Sequence, residues 1–131
     1  MAEILKGVRI LDLSQYMAGP YGTLILADLG GEVIKFENPD GGELSRTIRQ
    51  YTHKGESAYY LSFNRNKKSV TLNFRSEKAR EIFYELVKIS DVVYDNFRPG
   101  TLEKFKIDYE TLKKANPKII SCTVSGFGLT F

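Results

Sequence analysis

Apolar and polar residues alternate along this chain with two different periods, which predicts strands separated by helices. Apolar residues follow Ser76 at the i, i+3, i+4, i+7, i+8 spacing of one helix face, from Ala79 to Val87. Further helices are predicted at 21–29, 101–105 and 108–115. Short β-rich apolar runs predict strands at 8–14, 32–37, 67–73, 91–96 and 118–125. The alternation predicts an α/β protein with a Rossmann-like, doubly wound, mostly parallel sheet of about five strands.

The middle and the end of the chain depart from this alternation. Residues 38–57 are polar, contain glycine and have no periodicity, so they are predicted to form a functional loop or lid, an irregular or antiparallel excursion from the sheet. Residues 58–63 form an aromatic-rich patch. Residues 125–131 follow the last strand, where an α/β fold should place another functional loop. The sheet is therefore predicted to be truncated, with part of one apolar face uncovered and prone to self-association.

Composition is that of an ordinary soluble domain, since 42% of the 131 residues are hydrophobic and 27% are charged. The chain has no apolar run of 18 residues and no signal-peptide pattern, which predicts a cytoplasmic protein without a membrane partner. A net charge of +3 is too small to imply a nucleic-acid partner, although it suits an anionic small ligand. Neither His53 nor Cys122 has metal-ligand spacing, so no metal site is predicted, and Cys122 is interpreted as a buried structural residue.

The most informative polar residues lie in the segment DVVYDNFRPG. Asn96, Phe97 and Arg98 follow a short apolar strand and precede a Pro-Gly turn signal. Ligands of open α/β sheets bind at that end of the strands. Arg98 offers a planar cation for phosphate, Phe97 an aromatic face, and Asn96 a donor and an acceptor. An ordinary strand-to-helix connection with a solvated arginine fits the same residues.

A second candidate site lies at the first strand–helix junction. Ala18 and Gly19 are small enough for a ligand to approach the backbone at a helix N-terminus, where free N–H groups and the helix dipole favour an anion. Glu37, at the end of the second strand, lies where nicotinamide-binding folds keep an acidic residue for the ribose. The Gly-x-Gly-x-x-Gly pattern of those folds is absent, which makes a NAD-dependent oxidoreductase a less favoured interpretation.

Basic and aromatic residues are mixed between positions 59 and 75, and three interpretations fit them. RNA binding would bring a stronger basic bias across the domain. A solvated charge run is the common explanation of such a stretch. A ligand with several phosphates and an adenine fits the same residues on a smaller scale.

Four segments, taken together and in order, resemble the amino-terminal part of the family III coenzyme A transferases of the CaiB/BaiF type. They are LKGVRILDLSQYMAGPYGTLILADLGGEVIKFENPDGGELSR, NRNKKSVTLN, DVVYDNFRPGTLEK and SGFG. The family includes formyl-CoA and carnitine CoA transferases, and it moves CoA from an acyl-CoA to a free carboxylic acid through an aspartyl-CoA thioester. The resemblance implies that residues 1–131 are the amino-terminal CoA-binding portion of a large Rossmann-like domain, without the catalytic loop and the small domain.

The resemblance also implies where CoA binds. The matching positions are Met17, Ala18, Asn38, Leu72, Asn73, Phe74, Arg75, Asn96, Phe97, Arg98 and Lys104. Their chemistry suggests that Arg75, Arg98 and Lys104 face phosphates. Ala18 is expected near the thiol end, and Asn96 and Phe97 near the nucleotide. Arg46 matches a family arginine to which the sequence gives no role.

No catalytic residue is assigned to this chain. In relatives the nucleophilic aspartate lies beyond the SGFG strand, so the chain is expected to be inactive alone. CoA or acyl-CoA is expected as a substrate beside a carboxylic acid, without a permanently bound cofactor, and the complete family protein is expected to be a homodimer. A stand-alone CoA- or acyl-CoA-binding module is the second interpretation, and a fragment of a NAD-dependent oxidoreductase is the third.

Overall fold

A computed structural model describes residues 3–128, so residues 129–131 of the predicted final loop lie outside the described residues. Seven strands lie within the described range: β1 (Arg9–Asp12), β2 (Glu32–Glu37), β3 (Thr52–His53), β4 (Glu56–Ser57), β5 (Lys68–Thr71), β6 (Val92–Asp95) and β7 (Ile120–Thr123). Five of them form one sheet in the order β5-β2-β1-β6-β7, and every pairing in it is parallel. The predicted α/β fold with a mostly parallel five-stranded sheet is confirmed.

Helices join the strands of this sheet. They are α1 (Ala18–Asp28), α2 (Ala58–Asn64), α3 (Glu77–Lys88), α4 (Thr101–Lys104) and α5 (Tyr109–Ala115). Helix α1 begins three residues before the predicted start at 21, so Pro20 lies in its first turn. It ends at Asp28 with Leu29 as its C-cap, and Gly30 follows with the left-handed φ of +94° that favours glycine after a helix. None of the helices between residues 3 and 128 is long and apolar enough to span a membrane.

The segment 38–57 contains more regular structure than the sequence predicts. A 3₁₀ helix spans Leu44–Thr47, and β3 and β4 then form a small antiparallel hairpin. Lys54 and Gly55 form its two-residue turn with φ values of +51° and +84°, as a type I′ turn requires. The aromatic patch that follows is helix α2, whose N-terminus is capped by Ser57 accepting from the Tyr60 amide.

The core lies on both faces of the sheet. On one face α1 packs Ala27 against Ile10 and Val33. On the other face α3 and α5 pack against strand and loop residues in a larger cluster, which comprises Leu11, Leu13, Phe36, Phe83, Val87, Val93, Ile107, Leu112 and Ile119. The predicted stripe of α3 is only partly buried, because Phe83 is fully buried whereas Ile82 is 48% exposed. Helices on both faces make the sheet doubly wound.

The α1 side of the sheet is less well covered at β7. Val92 and Tyr94 of β6 are half-buried, and their register partners on β7 are Ile120 and Cys122. Ile120 is 59% exposed. Partners in register share a face of a parallel sheet, so these residues form a partly open apolar strip. Self-association through this strip stays a prediction.

Candidate functional site

A pocket of about 360 Å³ opens at the carboxyl edge of the sheet, where the ends of the parallel strands meet. Its walls come from the ends of β1, β2 and β5, from segment 38–44 and from the loops around α4. The lining residues are Leu13, Gln15, Phe36, Glu37, Asn38, Asp40, Gly42, Leu44, Leu72, Asn73, Phe74, Arg75, Phe97 and Phe105. Chain order reverses between β1 and β6, so the pocket lies beside the switch point at which such folds bind ligands.

The structure brings together part of the predicted CoA-binding set. Six of its residues line the pocket: Asn38, Leu72, Asn73, Phe74, Arg75 and Phe97. The other five lie on neighbouring segments and do not line it: Met17, Ala18, Asn96, Arg98 and Lys104. Met17 and Ala18 begin α1, Asn96 and Arg98 follow β6, and Lys104 ends α4.

Aromatic rings form the apolar wall of the pocket. The Phe74 ring lies 6.0 Å from Phe36, 5.1 Å from Phe83 and 6.5 Å from Phe105, measured between ring centroids. Arg80 donates from Nη1 to the carbonyl oxygens of Phe74 and Arg75, at 2.8 and 3.0 Å. The loop that carries Arg75 is therefore held at its backbone, while the Arg75 side chain is exposed to solvent at the pocket mouth.

Glu37 lies in the pocket wall, where its carboxylate is buried in a cluster with Arg46, Tyr60 and Ser69, hereafter the Glu37 cluster. Arg46 donates to both Glu37 oxygens, from Nε at 2.7 Å and from Nη2 at 2.9 Å. Ser69 and Tyr60 donate their hydroxyls at 2.7 and 3.0 Å. The Arg46 guanidinium also stacks 3.7 Å from the centre of the Tyr60 ring. Arg46 therefore fastens segment 38–57 to the end of β2.

These bonds control the ionisation of Glu37. Burial acts to raise its pKa, but hydrogen bonds from Arg46, Ser69, the Glu43 amide and Tyr60 outweigh burial and lower the pKa to about 2. The carboxylate is thus an acceptor that protein donors already occupy. This arrangement argues against the ribose-binding role that the nicotinamide interpretation would give to Glu37.

A second charged cluster lies beneath the start of α1 and consists of Asp12, Thr23, Lys35 and Lys67, hereafter the Asp12 cluster. Asp12 is fully buried and accepts from Thr23 at 2.6 Å and from Lys67 at 3.0 Å. Lys67 also donates to the Pro20 carbonyl at 2.9 Å. Burial lowers the pKa of Lys67 to about 8 even though the Asp12 carboxylate acts to raise it. Lys67, which the sequence placed in a basic stretch, is therefore an internal brace of α1.

The Asn96 side chain holds the loop between β1 and α1 through two hydrogen bonds to Gln15. Asn96 accepts from the Gln15 amide at 2.8 Å and donates to the Gln15 carbonyl at 2.9 Å. Both functional groups of Asn96 therefore bind this loop rather than facing the pocket. A Cβ atom on Gly19 would lie 2.3 Å from Ser14 Cβ, so glycine is required for packing between α1 and the end of β1.

Some residues of the site were missed by sequence reasoning. Gln15 and Phe105 line the pocket, and the buried Glu43 side chain accepts from the Tyr16 amide at 2.7 Å. Gln15 could have been found, because it follows β1 directly at the edge where ligands bind. The contact of Glu43 with Tyr16 has no local signal in the sequence. Among the described residues, no three His, Cys, Asp or Glu side chains are grouped as a metal ion would require.

Comparisons with known proteins agree with this geometry. The sequence profile of CoA-transferase family III matches residues 5–130. The chain is 44% identical over 128 residues to a succinyl-CoA:mesaconate CoA-transferase from Haloarcula marismortui, covering 95% of this chain and 32% of that protein. It is also 44% identical over 126 residues to the human succinyl-CoA:glutarate CoA-transferase, covering 96% of this chain and 29% of that protein.

Solved structures are similar as well. A mutant of Rv3272 from Mycobacterium tuberculosis superposes with a TM-score of 0.91 at 40% identity, over 99% of this chain and 35% of that one. A CAIB/BAIF family protein from Brucella suis gives a TM-score of 0.89 at 41% identity, over 97% of this chain and 34% of that one. The chain spans about a third of the length of these proteins, which confirms the truncated fold and the amino-terminal resemblance. This chain belongs to CoA-transferase family III.

Proposed function

We propose that this chain is the CoA-binding portion of an enzyme that transfers CoA from an acyl-CoA to a free carboxylic acid. The observation that carries the proposal is the pocket at the carboxyl edge of the sheet, with an aromatic wall and an arginine at its mouth. Its volume of about 360 Å³ lies within the range of pockets that hold small ligands and cofactors. Family membership supports CoA thioesters as the ligand class.

The aromatic wall suits the adenine of CoA. Phe74, Phe97 and Phe105 line the pocket beside Leu72 and present apolar surface to a planar ring. Bases stack on aromatic side chains with a gain of about 1–3 kcal/mol per base. Asn38 and Asn73 add amide donors and acceptors at the same wall, which suits the polar edge of a base or a ribose. We therefore assign the adenosine end of CoA to this wall.

The phosphates are assigned to the basic residues near the mouth. Arg75 lines the pocket, and its side chain is exposed. Arg98 and Lys104 are exposed on the loop after β6 and on α4, and neither lines the pocket. An arginine can hold a phosphate through two parallel hydrogen bonds, whereas a lysine contributes a point charge. In this proposal Arg75 makes the closest phosphate contact, and Arg98 and Lys104 add charge.

The thioester end is assigned to the start of α1. Gln15 lines the pocket and lies two residues before Met17, so an extended pantetheine arm leaving the pocket along Gln15 would run toward Met17 and Ala18. The first N–H groups and the dipole of a helix favour negative charge. Such charge develops on the thioester oxygen, and on sulfur as the thiolate leaves. We propose that Ala18 presents its backbone to this end of the ligand.

The complete reaction needs a nucleophile that we do not assign to this chain. A carboxylate attacks the thioester carbonyl, which releases CoA thiolate and forms a mixed anhydride. The thiolate then attacks the enzyme's acyl carbon, so that the donor acid leaves and an aspartyl-CoA thioester forms. Attack by the acceptor acid repeats these steps in reverse. Asp12 and Asp95 are fully buried and accept hydrogen bonds from Lys67 and Thr123, so neither is placed to attack a thioester.

The acceptor is proposed only as a carboxylic acid. Relatives at the same 44% identity are named for mesaconate, glutarate and oxalate as acceptors. We propose that the 131-residue chain binds CoA without turning it over. Incubation with succinyl-CoA and a second dicarboxylic acid should then yield no new CoA thioester by chromatography. Formation of one above the uncatalysed rate would contradict this part of the proposal.

The experiment that tests CoA binding is a calorimetric titration of the chain with CoA at low and moderate salt. We expect binding that weakens as salt rises, because the phosphates contribute charge–charge attraction, and no heat of binding with NAD. Arg75→Gln should weaken CoA binding by a factor of about 10 to 100, since a lost charge-assisted hydrogen bond contributes about 1.5–3 kcal/mol.

A matched control removes a positive charge at the opposite edge of the sheet. Lys118 is exposed just before β7 begins at Ile120. Lys118→Gln should leave the Kd for CoA unchanged. If both variants weaken binding equally, the effect is one of net charge and the assignment of Arg75 is wrong. If the folded chain binds neither CoA nor an acyl-CoA, the proposed function fails for this chain.

A further inference from the structure

We propose that Glu43 is a positioning residue for the start of α1. Its buried carboxylate holds Tyr16 in a left-handed backbone conformation, and this sets the positions of Met17 and Ala18 at the thioester end of the site. The inference rests on the proposed function, because the position of these two residues affects ligand binding only if they meet CoA.

Glu43 is buried and surrounded by donors. Its side chain is fully buried, and its Oε1 accepts the Tyr16 amide at 2.7 Å and the Ser45 amide at 3.1 Å. The other carboxylate oxygen accepts the Ser45 hydroxyl. Its own amide donates to the Glu37 carboxylate at 2.8 Å, so the residue is fixed to the end of β2. A buried carboxylate held in this way is a rigid acceptor for the Tyr16 N–H.

The backbone of Tyr16 has a left-handed conformation, which the hydrogen bond to Glu43 would have to maintain. Its φ is +63°, a left-handed value that costs a residue with a Cβ about 1–2 kcal/mol. Its side chain is 49% exposed, so burial of the ring contributes little to holding the residue there. The bond to Glu43 offsets this cost through the backbone. A return of Tyr16 to a negative φ would rotate the following peptide and displace Met17.

A second bond joins the same two segments in the opposite direction. The Leu44 amide donates to Gln15 Oε1 at 3.2 Å, while the Tyr16 amide donates to Glu43. Gln15 and Leu44 both line the pocket. Glu43 therefore connects a wall of the pocket to the residues that begin α1, and it does so without lining the pocket itself.

The test compares two substitutions of similar size. Glu43→Met removes the acceptor, whereas Glu43→Gln keeps an oxygen that can accept the Tyr16 amide. Amide hydrogen exchange by NMR reports the conformation of Tyr16, and calorimetric titration reports the Kd for CoA. We expect Glu43→Met to speed exchange at the Tyr16 amide and to raise the Kd about tenfold, which is about 1.4 kcal/mol, while Glu43→Gln stays near wild type.

A glycine at position 16 separates positioning from general damage. Glycine adopts a positive φ without the steric cost of a Cβ. In a Tyr16→Gly background, Glu43→Met should therefore raise the Kd by a smaller factor than in the wild type. A purely structural role for Glu43 would give the same factor in both backgrounds, and that result would overturn the proposal.

Two further results would contradict the proposed role of Glu43. The proposal fails if Glu43→Met binds CoA as wild type does, or if Glu43→Gln is as impaired as Glu43→Met. If Glu43→Met does not fold, exchange in the wild type decides: a slowly exchanging Tyr16 amide supports the bond, and an unprotected one overturns the proposal. If the wild type does not bind CoA, the proposed function fails, while exchange at Tyr16 still tests the hold of Glu43 on the loop.

Discussion

The Asp12 cluster and the Glu37 cluster lie at the same edge of the sheet but differ in their access to water. In the Asp12 cluster the Asp12, Lys35 and Lys67 side chains are at most 1% exposed. In the Glu37 cluster the carboxylate is buried, but its partner Arg46 is 30% exposed. The first cluster braces α1 from inside the protein, and the second fastens segment 38–57 at the rim of the pocket. Similar ion pairs therefore support a helix from inside the protein in one cluster and attach a surface segment in the other.

The pKa shifts follow the same division. Burial acts to raise the pKa of Asp12, but attraction by Lys35 and Lys67 and hydrogen bonds from Ser14 and Thr23 lower it overall. Asp12 thus depends chiefly on neighbouring charges. The pKa of Glu37 is lowered chiefly by hydrogen bonds, with Arg46 the main donor. Removing a charge should therefore damage the first cluster most, and changing donor geometry should damage the second.

The largest loss of stability is expected from Lys67→Met. The change leaves Asp12 buried with only the more distant Lys35, 3.8 Å away, as a cationic partner. Breaking a buried pair by removing one partner costs about 3–5 kcal/mol. The neighbouring Lys68 pairs with Glu32 at 2.5 Å, but its side chain is 69% exposed, so Lys68→Met should cost about 1 kcal/mol or less. Urea unfolding of both variants measures the difference. Equal losses would show that the Asp12 cluster is no more sensitive than a surface pair.

A smaller loss of stability is expected from Gly19→Ala. This substitution tests the contact between α1 and Ser14, which follows β1 and bonds to Asp12. The new Cβ would lie 2.3 Å from Ser14 Cβ, and Ser14 donates to Asp12 from its backbone at 2.9 Å. Overpacking of this kind costs about 1–3 kcal/mol, although alanine normally favours a helix over glycine.

The control for Gly19→Ala is Gly126→Ala, where a Cβ meets no atom within 4 Å. Thermal unfolding should show a lower Tm for the first variant and an unchanged Tm for the second. A Tm for Gly19→Ala equal to or above that of the wild type would mean that the helix start can move away from Ser14 without loss.

A change of about 1 kcal/mol is expected from Arg46→Lys, which keeps the charge of the Glu37 cluster but removes its forked geometry. Lysine can make a single bond where Arg46 makes two to Glu37, and it loses the planar stacking over Tyr60. Arg65→Lys is the matched control, because Arg65 pairs with Asp28 at 2.5 Å with its side chain 57% exposed. Chemical unfolding should show almost no loss for the control. A similar loss of stability for both variants would show that the Arg46–Glu37 pair contributes no more than an exposed surface pair.

Local pattern was sufficient to predict the scaffold but not these clusters. Helix α3 and the five parallel strands follow from periodicity over a few residues. Helix α2 was missed because its aromatic residues show no helical stripe, and it depends on Ser57 and on contacts with distant residues. Lys67 was interpreted as part of a basic stretch, and its partner Asp12 lies 55 positions earlier. The burial of Lys67 depends on which strands become neighbours in the sheet. The spacing of apolar residues along the chain does not encode that arrangement.

In the candidate site, too, the sequence predicted the positions of loops but not the contacts between distant residues. The loops at Asn38, at 72–75 and at Phe97 were predicted, because a carboxyl strand end has a visible signal and the family resemblance marks these positions. Asn96 is expected near the nucleotide, which stays a prediction, and the two hydrogen bonds of its amide to Gln15 were not foreseen. An amide has several possible partners, and the sequence alone does not rank them.

Replacing the Glu37 carboxylate should change how stability depends on pH. The folded pKa of Glu37, about 2, lies below its ordinary value of 4.5, so its contribution to stability is fully present above about pH 4.5 and is lost as pH falls toward 2. Glu37→Gln has no such titration. The Tm difference between wild type and Glu37→Gln should therefore narrow as pH falls from 6 to 3. Asp12 also has a lowered pKa, but it is common to both proteins and cancels in the comparison. A Tm difference that stays constant over this range would show that the buried carboxylate of Glu37 gains nothing from ionisation, and that Arg46 fastens segment 38–57 by packing alone.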